Sequence, residues 1–214
     1  MDIRISRLHF PVKALGPGRR IGIWFQGCSI RCPGCISADT WNQSSGHTTI
    51  ARVLAHIHPW MSHAEGITIS GGEPFEQPEA LEALLAGLRR QTSVDILVYS
   101  GHAIEKIKPS LMKVEGLIDV LISDPFDVDT TQSRPLRGSD NQRMHFLTAL
   151  GRSRFSQYER PLSEVDKSLD VMFDADGSVW FAGIPSRSDF FLLQDLLVQQ
   201  GHQVQISADK ARNK

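Results

Sequence analysis

Short apolar runs and amphipathic stretches alternate along the chain. The first residues, MDIRISRLHFPVK, switch between apolar and polar positions with the period of two that a half-buried strand requires. IGIWFQ at 21–26 reads as a buried strand running straight into a cysteine-rich loop. Ile50, Val53, Leu54 and Ile57 then recur at helical spacing, with Thr48 or Thr49 placed to cap the helix. GITIS at 66–70 is a second buried strand, stopped by Gly71-Gly72, and Pro78 opens a helix with Leu81, Leu84, Leu85 and Leu88 on one face. VDILVYS at 94–100 predicts a third core strand and LIDVLISD at 117–124 a fourth, ending in Asp124. Between them a helix is expected over 104–112, with Pro109 breaking or restarting it. Residues 125–145 are polar and turn-rich and read as a functional loop with little regular structure. LDVMFDADGSVWFAG at 169–183 predicts a hairpin turning at Asp176-Gly177, followed by a helix over 188–200 and a last strand near Val204. The repeated strand–helix alternation points to an α/β fold, a parallel sheet with helices outside, open or partly barrel-like. Residues 1–214 read as one domain without internal repeats or a low-complexity linker.

Composition narrows the setting. A chain of 214 residues, 41% hydrophobic and 22% charged, has the make-up of an ordinary globule rather than of a disordered segment. No apolar run approaches the length a bilayer requires, and the amino terminus lacks the continuous apolar stretch of a signal peptide. The expectation is a cytoplasmic, reducing compartment and no membrane partner. A formal net charge of -1 offers no electrostatic grip on nucleic acid.

In folds of this kind the working residues collect in loops at the carboxyl ends of parallel strands. Those loops hold Cys28-x3-Cys32-x2-Cys35, then Gly71-Gly72-Glu73-Pro74, then Ser100-Gly101, then Asp124-Pro125. All three cysteines of the chain lie in the first of them. Soft thiolates hold iron–sulfur clusters, and spacings this short let one loop wrap a single cube. Three thiolates for four irons leave one iron open to a small ligand. A structural zinc site of three cysteines and His47 is the alternative, although zinc ligands are usually paired on two separate knuckles. A redox pair of Cys32 and Cys35 leaves Cys28 unexplained. His56 and His58, two apart on a helix, flank its apolar face and read as solvated. Asp174-Ala175-Asp176-Gly177 resembles the start of a calcium loop but lacks the glutamate such a loop needs, and a hairpin turn accounts for it.

GPGRRIGIWFQGCSIRCPGCISADTW (16–41) followed by GITISGGEPF resembles the radical S-adenosylmethionine (SAM) superfamily. Within it the chain is most similar to the small activating enzymes of glycyl-radical enzymes, above all the anaerobic ribonucleotide reductase type. The similarity also takes in VYSGHAIEKI (98–107), IDVLISDPF (118–126) and LRGSDNQR (136–143), and so covers about residues 1–146 in one unbroken order. It implies a partial (β/α)6 barrel, with residues 147–214 adding a hairpin, helix and strand that complete or extend it. Cys28, Cys32 and Cys35 would hold three irons of a catalytic 4Fe-4S cluster, and the fourth iron would take the amino and carboxylate groups of SAM. Gly34, Ile36, Gly71, Gly72, Glu73, Pro74 and Ser100 would border the cofactor. Gly71 and Gly72 would let backbone approach its methionine end, and Glu73 would accept from its ammonium. Ile36-Ser37 stand where such enzymes often have an aromatic or histidine followed by asparagine, so contacts to SAM differ there. Without a fourth cysteine a second protein-ligated cluster is excluded.

The implied reaction is reductive cleavage of SAM to a 5'-deoxyadenosyl radical, which abstracts hydrogen from a glycine of a partner protein. A low-potential donor such as flavodoxin or ferredoxin would supply the electron. A stand-alone radical SAM enzyme acting on a peptide or small molecule, and a noncatalytic metal-binding module, are the alternatives. A GGEP platform on the neighbouring strand has no purpose in the last of these. Arg134, Arg137 and Arg143, with Asn141, suggest an open polar mouth suited to a polypeptide or a phosphate group.

Overall fold

The computed structural model describes residues 1–166, 168–173, 179–184, 187–201 and 203. From the amino terminus come β1 (Asp2–Val12), β2 (Arg20–Phe25), β3 (His47–Thr49), α1 (Ile50–Ile57), β4 (Gly66–Gly71), α2 (Pro78–Arg89) and β5 (Asp95–Tyr99). They are followed by α3 (Ile104–Lys113), β6 (Val120–Ser123), β7 (Arg143–Phe146), α4 (Ala149–Phe155), β8 (Leu169–Phe173), β9 (Val179–Gly183) and α5 (Arg187–Gln199). Seven strands form one sheet in the order β3-β1-β2-β4-β5-β6-β7. Its centre, β2-β4-β5-β6, is parallel. The flanks are not: β1 runs antiparallel to both β2 and β3, and β7 antiparallel to β6.

The mixed sheet corrects the expectation of uninterrupted parallel alternation. Parallel neighbours need a long crossover, normally a helix, whereas antiparallel neighbours need only a turn or loop. α1, α2 and α3 lie between the successive parallel strands, while no helix separates β1 from β2 or β6 from β7. The polar stretch after β6 is accordingly loop-like only as far as residue 142. Arg143–Phe146 then pairs with Val120–Ser123 as an edge strand.

Sequence pattern and packing agree closely in the helices. Thr49 caps α1 by accepting the Arg52 N–H, and Ile50, Val53 and Ile57 are buried. α2 buries Leu81, Leu84, Leu85 and Leu88, with Pro78 in its first turn where a missing N–H costs nothing. α3 runs through Pro109 to Lys113, against the expected break. Ile107 and Leu111, on either side of the proline, both pack into the core, and this burial offsets the one backbone bond lost. These helices cover one face of the sheet together with Ile21, Ile23, Ile67, Ile69, Ile96 and Val98. Leu97, Val120 and Ile122 point to the other face, where Leu136 and Phe155 cover them. At the amino end of the parallel strands Arg20, fully buried, donates to Asp95 Oδ1 at 2.6 Å and to Thr68 Oγ1 at 2.6 Å. Arg154 of α4 donates to the second oxygen of Asp95 at 3.0 Å, tying that helix to the sheet.

Among the described residues β8 and β9 pair with each other alone and form a separate two-stranded sheet, so they do not lengthen the main one. Met172 and Ala182 pack against Val12 and Leu15, with Trp24 and Trp180 alongside. Asp170 Oδ2 accepts the backbone N–H groups of Lys13 and Ala14 at 2.6 and 2.7 Å, which fastens the hairpin to the end of β1. The expected turn at Asp176-Gly177, the Asp174–Gly177 stretch and the strand near Val204 lie outside the described residues. Among the described residues no helix is long and apolar enough to cross a membrane.

Candidate active site

Four loops at the carboxyl ends of β2, β4, β5 and β6 are stitched to one another. Gly72 N–H donates to Phe25 O and Glu73 N–H to Gly27 O, both at 2.8 Å, joining the GGEP loop to the entrance of the cysteine loop. Gly71 has φ +102, and a Cβ there would lie 2.5 Å from Phe25 O; one on Gly72 would overlap the Gly27 carbonyl. Both glycines are therefore required by the close approach of two backbone segments. This packing requirement stands beside the expectation that they let backbone approach the cofactor. Pro74 is buried and starts a short 3-10 turn, Pro74–Glu76, that leads into α2.

Glu73 is 1% exposed and braces the third loop. Its Oε1 accepts from Phe75 N–H at 3.0 Å and Ser100 Oγ at 2.9 Å, and its Oε2 from Gly101 N–H at 2.7 Å. Oε2 keeps capacity for one more donor, so the expected contact to an ammonium would be added to this bracing role. Burial outweighs these three donors and pushes the carboxyl up to about 7 from an ordinary 4.5. A raised carboxyl pKa favours the protonated form in the folded state. The stability it contributes is complete below pH 4.5 and is lost as pH rises through 7. In cofactor-free protein this amounts to about 3 kcal/mol, and Glu73→Gln should flatten that part of the profile. Urea unfolding of both proteins across this window measures the difference.

The cysteine loop is held from several sides. Gly27 N–H donates to Thr40 O at 2.7 Å and Cys28 N–H to Trp41 O at 3.3 Å, so the 3-10 turn Ala38–Trp41 folds back on the loop. Glu76 accepts from the Ser29 N–H at 3.0 Å and the Ser29 hydroxyl at 2.5 Å. His102 Nε2 stands 3.8 Å from the same carboxylate. Gly34 has φ +73, a backbone conformation that strains any side chain, and a Cβ there would come within 3.1 Å of Val128 and 3.5 Å of the Phe126 ring. Ile36, at the rim, is 39% exposed.

All three cysteines are free thiols, half-buried at the loop surface. Burial raises the pKa of Cys28 and Cys32 and pushes Cys35 up to about 11. Backbone N–H groups of Ile30 and Arg31 at Cys28, Phe126 at Cys32 and Ser37 at Cys35 work in the opposite direction. Such N–H groups aimed at sulfur suit thiolates bound to metal. Trp41 adds a buried indole N–H with no hydrogen-bond partner in this structure. Among the described residues no three His, Cys, Asp or Glu side chains converge on a point that a single ion would occupy. A cube requires no such convergence, because its cysteines hold different irons. His47, the proposed zinc partner, lies on the edge strand β3 and is exposed.

Ser29, Glu76, His102, Phe126 and Val128 were not singled out by sequence. Glu76, three residues after Glu73 in GGEPFE, is the one that carried a local signal. The arginines of the 125–145 region are held in ion pairs. Arg143 pairs with Asp124 and Glu105 at 2.8 Å each, Arg134 with Glu159 at 2.9 Å, and Asn141 donates to Pro125 O. Arg137, 2% exposed, also pairs with Glu159, and its Nε and Nη1 lack partners. The arginines expected to line an open polar mouth thus each have carboxylate partners, Arg134 and Arg143 at the surface and Arg137 buried.

A family model described as "4Fe-4S single cluster domain" matches residues 14–145, from the turn before β2 to β7. The anaerobic ribonucleoside-triphosphate reductase-activating protein of Salmonella typhi is 32% identical over 149 residues, covering 65% of this chain and 96% of that protein. Its counterpart in Escherichia coli (strain K12) is 29% identical over 148 residues, with the same coverage. The pyruvate formate-lyase-activating enzyme of Clostridium pasteurianum is 36% identical over 100 residues, 43% of this chain and 42% of that enzyme. The matched region contains the cysteine loop and every loop stitched to it, and with that overlap the chain belongs to the 4Fe-4S single cluster domain family, as a radical SAM protein of the glycyl-radical-enzyme activating type.

Proposed function

We propose that this protein reductively cleaves SAM at a 4Fe-4S cluster and uses the 5'-deoxyadenosyl radical to take a hydrogen atom from a glycine of a partner glycyl-radical enzyme. The observation that carries this reading is the backbone stitch between the cysteine loop and the GGEP loop, which places three thiols beside a glycine-lined ledge. A cluster held by Cys28, Cys32 and Cys35 would supply one electron to the SAM sulfonium, so that C5'–S cleavage would release methionine and leave the adenosyl carbon to take the hydrogen.

The chain's own residues bind and orient. Cys28, Cys32 and Cys35 would ligate three irons, and the Gly71-Gly72 ledge would keep the cofactor's methionine end close to backbone. Glu73, braced by Ser100 and Gly101, would hold that ledge at a fixed distance from β5 and offer Oε2 to the ammonium. Gly34 would let Phe126 and Val128 pack over the loop and shield it from water. An electron donor of low potential, such as flavodoxin or ferredoxin, and a reducing cytoplasmic setting belong to this reading. So does a partial (β/α)6 barrel formed by residues 1–214 as one unit, with the parallel strands β2-β4-β5-β6 as its described centre.

The test is anaerobic: reconstituted protein, reductant and SAM are mixed with a glycyl-radical enzyme from the same genome carrying deuterated glycine. Deuterium in 5'-deoxyadenosine together with a persistent glycyl radical signal is the expected result. Deuterium transfer without a stable protein radical would favour peptide modification, and 5'-deoxyadenosine formed only with a small metabolite would overturn the polypeptide substrate.

A further inference from the structure

Arg4 stands on β1 between Ile3 and Ile5, both buried on the helix-covered face, so strand alternation sends its side chain to the other face of the sheet. Its main chain is pinned to both loops of the site. Gln77, which follows GGEPFE, accepts the Arg4 N–H at 2.8 Å and donates to Arg4 O at 3.2 Å and to Gln26 O at 3.1 Å. The Gln26 N–H in turn donates to Arg4 O at 3.0 Å. The guanidinium is thereby set against Gly27, the residue before Cys28: its Nε and Nη2 each lie 3.6 Å from the position that a Gly27 Cβ would take. Among the described residues no carboxylate pairs with this half-buried cation, and its Nε is buried without an acceptor. A charged donor buried in that way is costly unless a negative group completes it. Three neutral thiols supply no such charge, whereas three thiolates around a cluster do.

We propose that Arg4 is the fixed counter-charge of the cluster and raises its reduction potential, acting through space rather than as a ligand. The inference rests on the functional reading above and extends it to a residue outside the cysteine and GGEP loops. Reduction adds an electron to a group that is already anionic, and a cation held close by favours that state. Because β1 and Gln77 fix its backbone, Arg4 is in place before the electron arrives. Arg31, the cation within the cysteine loop itself, is exposed, and solvent screens its charge. Glu76, which accepts from Ser29, acts in the opposite sense and is left untouched by the test.

Arg4→Met removes the charge and keeps a long apolar stem, whereas Arg4→Lys keeps the charge. Redox titration of reconstituted, SAM-free protein, followed by electron paramagnetic resonance, should give a more negative midpoint for Arg4→Met than for wild type at equal iron content. Arg4→Lys should stay close to wild type. Full iron with an unmoved midpoint in Arg4→Met overturns the inference, as does a shift in Arg4→Lys as large as that in Arg4→Met. If Arg4→Met fails to hold iron, Arg4→Lys decides: full iron at the wild-type midpoint supports the charge, and lost iron or a shifted midpoint overturns it. The expected shift in a protein that takes no hydrogen from a partner's glycine supports the inference and overturns the functional reading alone. Wild-type protein that takes up no four-iron cluster overturns both.

Discussion

Replacing any one of Cys28, Cys32 or Cys35 with alanine is expected to reduce the iron of anaerobically reconstituted protein from about four atoms per chain to near zero. SAM cleavage should be lost with it. The chain has no other cysteine to take over, and the loop around each of the three is fixed by bonds to neighbouring loops rather than by the thiols themselves. The protein should therefore stay folded without its cluster. Iron and sulfide content, the reduced-cluster spectrum and far-ultraviolet circular dichroism measure these outcomes together. One tightly held zinc per chain after strictly anaerobic preparation would instead require a mononuclear site and would remove the iron–sulfur assignment.

Gly72→Val is expected to cost both SAM binding and much of the cluster. Reading the GGEP motif alone, one expects a branched side chain to block only the cofactor. The structure sets Gly72 against the Gly27 carbonyl, immediately before Cys28, so any Cβ must push the cysteine loop away. The displaced backbone would also break the 2.8 Å bonds of Gly72 N–H to Phe25 O and of Glu73 N–H to Gly27 O. Overpacking of this kind costs about 1–3 kcal/mol. Iron content and SAM affinity should fall together, with Gly72→Ala intermediate. A Gly72→Val protein with full iron and weakened SAM binding would show that the ledge acts on the cofactor alone.

What the amino-acid sequence determined by itself is the set of elements with a strong local period and the motifs that close them. The leucine face of α2, the Thr49 cap of α1 and the four apolar central strands are recorded in residue spacing, because burying one face of a helix or strand demands that spacing. The cysteine loop and Gly71-Gly72 are legible for a similar reason, since thiol ligation and close backbone approach each admit very few residue types. Relations between distant segments were decided only by tertiary structure. A four-residue edge strand at Arg143–Phe146 carries no period of its own and exists because β6 offers it an unpaired edge. Pro109 stays inside α3 because Ile107 and Leu111 bury against the sheet, an energy that no local preference contains. The pairing of Arg134, Arg137 and Arg143 depended on where Glu159, Asp124 and Glu105 arrive in space. Glu73 changes from a free carboxylate in a motif to a buried brace: the loop after β5 brings Ser100, 27 residues away, and Gly101 to donate to it, and burial outweighs those donors and holds its proton to about pH 7.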